Sequence, residues 1–597
     1  MLDWQNIWKE LNSSFDTHSE QLNPDFLNRC VLSASGLRFI HSGDEQDLSI
    51  LPHPDALSFA FCVLESFSTR LTQVKNQPEI WLGMDARPTG PSFLLLAYQF
   101  FLNKGFKVRV MGHGPIPEVM AATHQNKADG FCYFTASHNP AGHNGFKLGL
   151  SDGAVLNREE SLKLIGAIKQ RYEKNEAIEN SFEFNFDAEQ FQKNLKENKS
   201  LSKKSYFNFV FETIGVDDPE TFMRGISDSW EKPPAFLIDM NGSSRLKSID
   251  VEILEKMGLK LTLINDELGV FAHAIVPEGE SLLPLKQLMQ TKLDEDEFIL
   301  GGMVPDCDGD RGNLILPLEG RATALKAQET FALCALAEFA SVSEQTDRSL
   351  ACAVNGPSSL RLEKLLEPYG VKVARAEVGE ANVLAMAQKL KSEGYLVPIA
   401  GEGSNGGNIL DGATVRDPLM TLLSLLKFSQ SKKANGQTAA ECCLQRSGLN
   451  ETSGLSPWEK IFIMLPKWMT TDAFEGDALM PVPKIEHEVL KSRYEELLQK
   501  HFYAEPSFWK NLNVTKLSFY SNEGTQNILG PGGRPAPGKG GLQVFLQNEQ
   551  EECLGFLWMR GSGTEPVFRV VVDWGGEPSQ YTKLLKLHRE LIEKSTI

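Results

Sequence analysis

The sequence predicts an α/β fold: three related α/β domains followed by a smaller C-terminal α+β domain. A strand–helix–strand rhythm occurs three times at widely separated places. From about residue 510 the texture changes to short strands, glycine-rich turns and one closing helix. Three conspicuous polar motifs each follow an apolar run of strand length, which is where ligands bind in open α/β sheets.

In the first block, residues 79–83 read as a strand, 92–102 as an apolar segment and 107–111 as the next strand. The second block repeats this at 235–239, 249–257 and 260–264, and the third at 350–354, 360–366 and 371–373. The likeness is one of pattern, not of repeated sequence. Residues from about 155 to 230, rich in Lys, Glu, Asn and Phe, read as a helical connector. Residues from about 428 to 505 read as an insertion, opened by the polar run 429–436 and containing a helix over 486–501. A closing helix is predicted over 579–594. The expected domains are 1–230, 231–322, 323–508 with the insertion, and 509–597.

Composition narrows the class. The chain has 597 residues, is 41% hydrophobic and 23% charged, as ordinary globular proteins are. A net charge of −18 argues against non-specific nucleic-acid binding and means that any phosphate site is built locally. Nine cysteines occur with no Cys-x-x-Cys pair, and the adjacent Cys442 and Cys443 suit neither a metal cage nor an ordinary disulfide. That usage fits a reducing, cytoplasmic location. The first residues have no basic region followed by an apolar core, so no signal peptide is expected. The longest apolar stretches, such as 93–102, are too short to span a bilayer.

The most informative motif is Asp306-Cys-Asp-Gly-Asp-Arg311. Three carboxylates at every second position of an extended segment point the same way and repel one another unless a cation sits among them. Oxygen ligands suit Mg²⁺ or Ca²⁺. An EF-hand loop needs Gly at its sixth position and Glu at its twelfth, where Arg311 and Pro317 stand. Arg311 beside a metal suggests that a further anion, such as a phosphate, shares the site. In Thr135-Ala-Ser-His-Asn-Pro140, Ser137 lies at a strand end beside His138, where a hydroxyl can be exposed and activated. Lys147 follows closely as a candidate acid or base. Glu402 and Ser404, on the glycine-rich turn 401–407, suit hydrogen bonding to sugar hydroxyls. Arg560, Ser562, Gly563 and Thr564, with Arg569 on the strand that follows, make a phosphate cradle. The run 533–540 nearly matches a P-loop, but it ends in Gly540 and contains Pro535 and Pro537, so it reads as a surface loop.

Together the four motifs resemble those of the α-D-phosphohexomutase family, which includes the phosphoglucomutases and phosphomannomutases. Weaker matches are Ser35-Gly-Leu-Arg38, Gly83-Met-Asp-Ala-Arg87, Asp239-Met-Asn-Gly242 and Glu377-Val-Gly379. The resemblance implies four domains around one central cleft, with Ser137 carried as a phosphoserine. It implies one Mg²⁺ held by Asp306, Asp308 and Asp310 and by the phosphate on Ser137. The phosphoryl group passes to a hexose phosphate, and a bisphosphorylated sugar forms and returns its other phosphoryl group. A sugar 1,6-bisphosphate would act as activator. Lys147, His138 and Arg38 are implied as acid/base and charge-stabilising groups, with Arg311 holding the phosphate. Arg560, Ser562, Gly563, Thr564 and Arg569 would clamp the non-reacting phosphate, and Glu402 and Ser404 would read the sugar.

The expected substrate is a glucose phosphate, with mannose phosphate and then glucosamine phosphate as alternatives. The expected partner is the hexose phosphate, with no nucleic acid or membrane, and the expected assembly is a monomer or weak homodimer. Three places depart from the family pattern. Gly561 stands where Pro is frequent, Asn405 stands at a usual glycine, and Glu380 stands where glucosamine-type members carry an acid. Other classes on the same frame are a sugar-bisphosphate synthase or phosphohydrolase, and a non-catalytic sugar-phosphate sensor.

Overall fold

The computed structural model describes residues 2–15, 23–33, 36–174, 186–405, 407–449, 453–473, 476–483, 485–530, 540–561 and 567–597. Two compact units are present: Met1–Ile315 with Gly412–Met420, and Leu316–Asp411 with Thr421–Ile597. Among the described residues, no helix is long and apolar enough to cross a membrane.

The strands, in chain order, are β1 (Val31–Ser33), β2 (Gly36–Ile40), β3 (Glu79–Met84), β4 (Lys107–His113), β5 (Gly130–Phe134) and β6 (His143–Leu150) in the first sheet. The second sheet holds β7 (Ala235–Asp239), β8 (Lys260–Ile264), β9 (Ile299–Pro305), β10 (Gly312–Leu318) and β11 (Arg321–Ala324). The third holds β12 (Ala351–Asn355), β13 (Lys372–Ala376), β14 (Ile399–Glu402) and β15 (Gly407–Leu410). One pairing scheme recurs in all three. A central strand (β3, β7, β12) runs parallel to the two strands that follow it, and the second of those turns back as an antiparallel hairpin. The expected three α/β units of related design are therefore present.

Sequence accounts for this locally. Strands β5, β7, β9 and β12 are buried along their whole length. Parallel strands covered on both faces read as continuous apolar runs, not alternating ones. The connector is helical, as expected: Arg158–Glu173, Ala188–Thr213 and Pro219–Asp228. Asn157, Asp187 and Asp218 each cap one of these helices by accepting a backbone N–H of its first turn.

The C-terminal sheet contains β16 (Met469–Thr470), β17 (Leu479–Pro481), β18 (Lys516–Glu523), β19 (Gln526–Gly530), β20 (Gly541–Gln547), β21 (Cys553–Gly561) and β22 (Val567–Trp574). Part of the stretch read as an insertion thus joins this sheet, because β16 and β17 both pair antiparallel with β22. They cover what would otherwise be an open edge. The helix expected over 486–501 is His487–Ala504, and the closing helix is Pro578–Ser595.

The functional motifs fall at one repeated position. The Ser137 loop joins β5 to β6, the aspartate loop joins β9 to β10, and the glycine-rich turn with Ser404 joins β14 to β15. Each is the tip of the antiparallel hairpin that closes its block.

Candidate active site

Ser137 sits at φ +54, a left-handed conformation uncommon outside glycine and asparagine. Its surroundings hold it there. The Ser137 N–H donates to Thr135 Oγ1 (2.7 Å), and that hydroxyl donates to Asp85 Oδ2 (2.6 Å). Asp85 also accepts the side chain of Arg87 (3.1 Å). Arg87, wholly buried, donates to the carbonyls of Ser137 (2.8 Å), Asn139 (2.7 Å), His143 (3.2 Å) and Pro140. Backbone strain of this kind, about 1–3 kcal/mol, persists only where the surroundings enforce it. The Ser137 hydroxyl faces Nδ1 of His138 at 3.3 Å. Burial, then the cations Arg311 and Arg38, push His138 down to about 2, so the imidazole is neutral and serves Ser137 as a hydrogen-bond partner.

Across the β5–β6 hairpin lies Lys147, whose ammonium donates to Asp308 Oδ2 (2.8 Å) and Asp310 Oδ2 (2.9 Å). Burial alone would lower this lysine, but the two carboxylates more than offset it and leave it raised. Arg311 donates through Nε to Asp306 Oδ2 (3.1 Å). Arg38 is half-buried, donates to Asn139 Oδ1 (3.4 Å), and lies within electrostatic reach of Asp308, Arg311 and Asp310. The first unit therefore gathers Arg38, Ser137, His138, Lys147, the three aspartates and Arg311.

The aspartates fit a divalent ion. One oxygen from each of Asp306, Asp308 and Asp310 lies within 4.8 Å of the others, and all three residues are buried. Asp308 Oδ1 and Asp310 Oδ1 accept no hydrogen bond among the described residues, and Arg311 Nη2 donates none. Buried polar atoms are ordinarily satisfied. Two carboxylate oxygens without a hydrogen bond, one of them 3.7 Å from Arg311 Nε, ask for a cation, and an orphaned guanidinium nitrogen asks for an anion.

Arg416 was not anticipated. Its Nη2 donates to Asp310 Oδ2 (2.9 Å). Burial would raise Asp310, but Arg416, Lys147 and Arg311 hold it well below the usual carboxylate range. The available signal was the Arg416-Asp-Pro418 triplet just ahead of the apolar helix Pro418–Gln430.

In the second unit, Glu402 Oε1 accepts the Gly379 N–H (2.7 Å) and the Asn355 amide (3.2 Å). The same amide donates to Ser404 Oγ (2.8 Å), and Asn355 Oδ1 accepts the Ser358 hydroxyl (2.7 Å). Asn355, also not anticipated, ends β12 as Asp85 directly follows β3. In both blocks a polar residue at the end of the central strand orients the hairpin loop, and that recurrence could have revealed it.

Arg560 and Arg569 are cross-strand neighbours in the β21–β22 register, so both project from one face of the sheet. Arg560 is held by Glu377 (3.3 Å), whose other oxygen accepts the Gly524 N–H (2.9 Å). Gly561 has a local reason to be glycine, since a Cβ there would run into the ring of His487. Ser35, Ser562, Gly563 and Thr564, and the run 533–539, lie outside the described residues.

Residues 52–176 match phosphoglucomutase/phosphomannomutase, alpha/beta/alpha domain I, and residues 326–446 match domain III of the same series. A phosphoglucosamine mutase of Acetivibrio thermocellus is 24% identical over 371 residues, covering 60% of this chain and 72% of the relative. A phosphoglucomutase/phosphomannomutase of Thermococcus kodakarensis is 26% identical over 380 residues, covering 63% of this chain and 74% of that one. In fold, the chain is similar to the Paramecium phosphoprotein pp63/parafusin, a phosphoglucomutase, in its open form. That match has a TM-score of 0.61 and 12% identity, and covers 94% of each chain. Residues 52–176 and 326–446 thus carry domains I and III of the phosphoglucomutase/phosphomannomutase series, which belongs to the α-D-phosphohexomutase family.

Proposed function

We propose that the protein interconverts a hexose 1-phosphate and the corresponding hexose 6-phosphate through a phosphoserine at Ser137. The observation that carries this reading is the buried aspartate triad, bridged by Lys147 from the hairpin that bears the strained Ser137. Asp306, Asp308 and Asp310 would hold Mg²⁺, which when bound supplies neutralisation of charge on the transferring phosphoryl group. Lys147 and Arg311 add fixed positive charge, and neutral His138 orients the Ser137 oxygen. The phosphoryl group leaves Ser137 Oγ for the free sugar hydroxyl, whose proton ends on the serine oxygen, and the reverse transfer from the sugar's other phosphate regenerates phosphoserine and returns that proton to the sugar. A hexose 1,6-bisphosphate primes Ser137.

Glu402 and Ser404, fixed by Asn355, are suited to the sugar hydroxyls, and Arg560 with Arg569 to the non-reacting phosphate. We expect Asn355→Leu to raise KM for the sugar phosphate roughly 30-fold, since the two hydrogen bonds that fix Glu402 and Ser404, about 1 kcal/mol each, are lost along with the one from Ser358. Steady-state kinetics would check this, and an unchanged KM would remove Asn355 from sugar binding.

Glucose phosphate is the proposed substrate. A glucosamine phosphate is supported as the second reading by Glu380, a carboxylate directly after the Gly379 that binds Glu402. A coupled assay with glucose, mannose and glucosamine 1-phosphates, each primed with bisphosphate, ranks them. Negligible turnover of all three would sink the mutase reading, and inorganic phosphate release matching sugar conversion would favour a hydrolase.

A further inference from the structure

We propose that Tyr206, Asp417 and Arg245 form a buried latch that sets the shape of the aspartate loop and so tunes its affinity for a divalent cation. The inference rests on the reading that this loop holds the metal. It begins with the loop's backbone, whose successive carbonyls are all pinned from behind. The Asp306 carbonyl accepts the Ser243 hydroxyl (2.6 Å), that of Cys307 the Ser244 N–H (3.1 Å), and that of Asp308 the Ile116 N–H (2.9 Å). The Gly309 carbonyl, between two of the carboxylates, accepts both Nε (3.0 Å) and Nη2 (2.6 Å) of Arg245. Gly309 has φ +71, and a Cβ there would strike Pro115 and Arg245. Only glycine allows the guanidinium to approach so closely.

Arg245 is itself held on its other side. Its Nη1 donates to Asp250 Oδ1 (2.7 Å) and Tyr206 Oη (3.3 Å), and its Nη2 donates to Asp417 Oδ1 (2.7 Å). Asp417 Oδ2 accepts the Tyr206 hydroxyl at 2.6 Å. All four side chains are buried. One guanidinium between two carboxylates is an expensive way to fill a core, because apolar packing of equal volume is often as stable or more so. What the charged cluster supplies is geometry: a fixed carbonyl between two ligand aspartates. It also sets Arg416, since the residue next to Asp417 is the one that donates to Asp310. The latch draws on the connector helix Ala188–Thr213, the turn Ser244–Lys247 and the segment Gly412–Met420, three places far apart in the chain.

Tyr206, Asp417 and Arg245 are accordingly positioning residues, none of them a ligand. The test is calorimetric titration of the full chain with Mn²⁺ alone, with the phosphorylation state of Ser137 matched by intact mass. Tyr206→Phe removes one hydroxyl and preserves the ring, so it is the variant least prone to misfold. We expect its Kd for Mn²⁺ to weaken about threefold to tenfold, the worth of one strained or lost hydrogen bond. Asp417→Asn should weaken it further, Asp417→Glu should recover part of the loss, and KM for the sugar phosphate should stay within about twofold of wild type. A wild-type Kd in Tyr206→Phe overturns the latch, even if its melting temperature falls, because that pattern marks a merely structural role. Failure of the wild type to bind Mn²⁺ at all would overturn the metal reading instead.

Discussion

Ser137→Ala is expected to abolish turnover, by on the order of 10⁴-fold or more, while leaving sugar-phosphate binding within about twofold. The reaction proposed has no second acceptor for the phosphoryl group. Thr135, the nearest hydroxyl in sequence, is committed to Asp85 and to the Ser137 N–H. Intact mass should show one phosphate on the wild type after incubation with hexose 1,6-bisphosphate and none on the variant. A second substitution separates chemistry from strain. Ser137 holds φ +54, which glycine adopts freely, so Ser137→Gly should be more stable than Ser137→Ala by up to about 1 kcal/mol. Both variants should be equally inactive. Full activity in the alanine variant would remove Ser137 from the mechanism, and a phosphate found elsewhere on that variant would name its replacement.

The fold was legible where strands are buried on both faces, because β7 and β12 read as unbroken apolar runs of four residues that end in Asp239 and Asn355. Strands β1 and β2 were not, since they are three and five residues long and only partly buried. Likewise β16 and β17 are two and three residues long, and only their pairing with β22 makes them strands. In the site, the legible residues are those whose chemistry is written in local spacing. The alternate aspartates, the Ser137-His138 pair and the Arg560 strand are of that kind. Arg416, Asn355 and Arg245 are not, because each acts on a residue at least 47 positions away. Glu377 shows the same limit: it orients Arg560 from 183 positions upstream. The glycine at position 561 departs from the Pro frequent there. Its missing side chain leaves the space that the His487 ring fills, and His487 also stacks edge-on against Phe568 with centroids 5.0 Å apart.

Arg87 shows why a residue remote from the chemistry can still decide it. Arg87→Met is expected to destabilise the Ser137 loop by about 3–5 kcal/mol, the usual consequence of leaving a buried charge without its partner. Asp85, fully buried, would lose its cation, and four carbonyls between Ser137 and His143 would lose their donor at once. Without them only the Thr135 hydroxyl still holds Ser137 in the left-handed region. Hydrogen exchange over residues 135–143 reads the loop directly, and its protection should fall on the order of 10²–10³-fold. Arg87→Lys discriminates between charge and shape. An ammonium keeps the charge facing Asp85 but has three donors on one point, where the guanidinium has five in a plane. It cannot reach Asp85 and four carbonyls together, so we expect most of the stability to return and turnover to remain depressed, by roughly 100-fold. Pairing Arg87→Met with Asp85→Asn should cost less than the sum of the two, with a coupling of about 1–3 kcal/mol. Exchange at wild-type rates in Arg87→Met would show that the hairpin alone holds Ser137, and would move the origin of its strain from Arg87 to the β5–β6 turn.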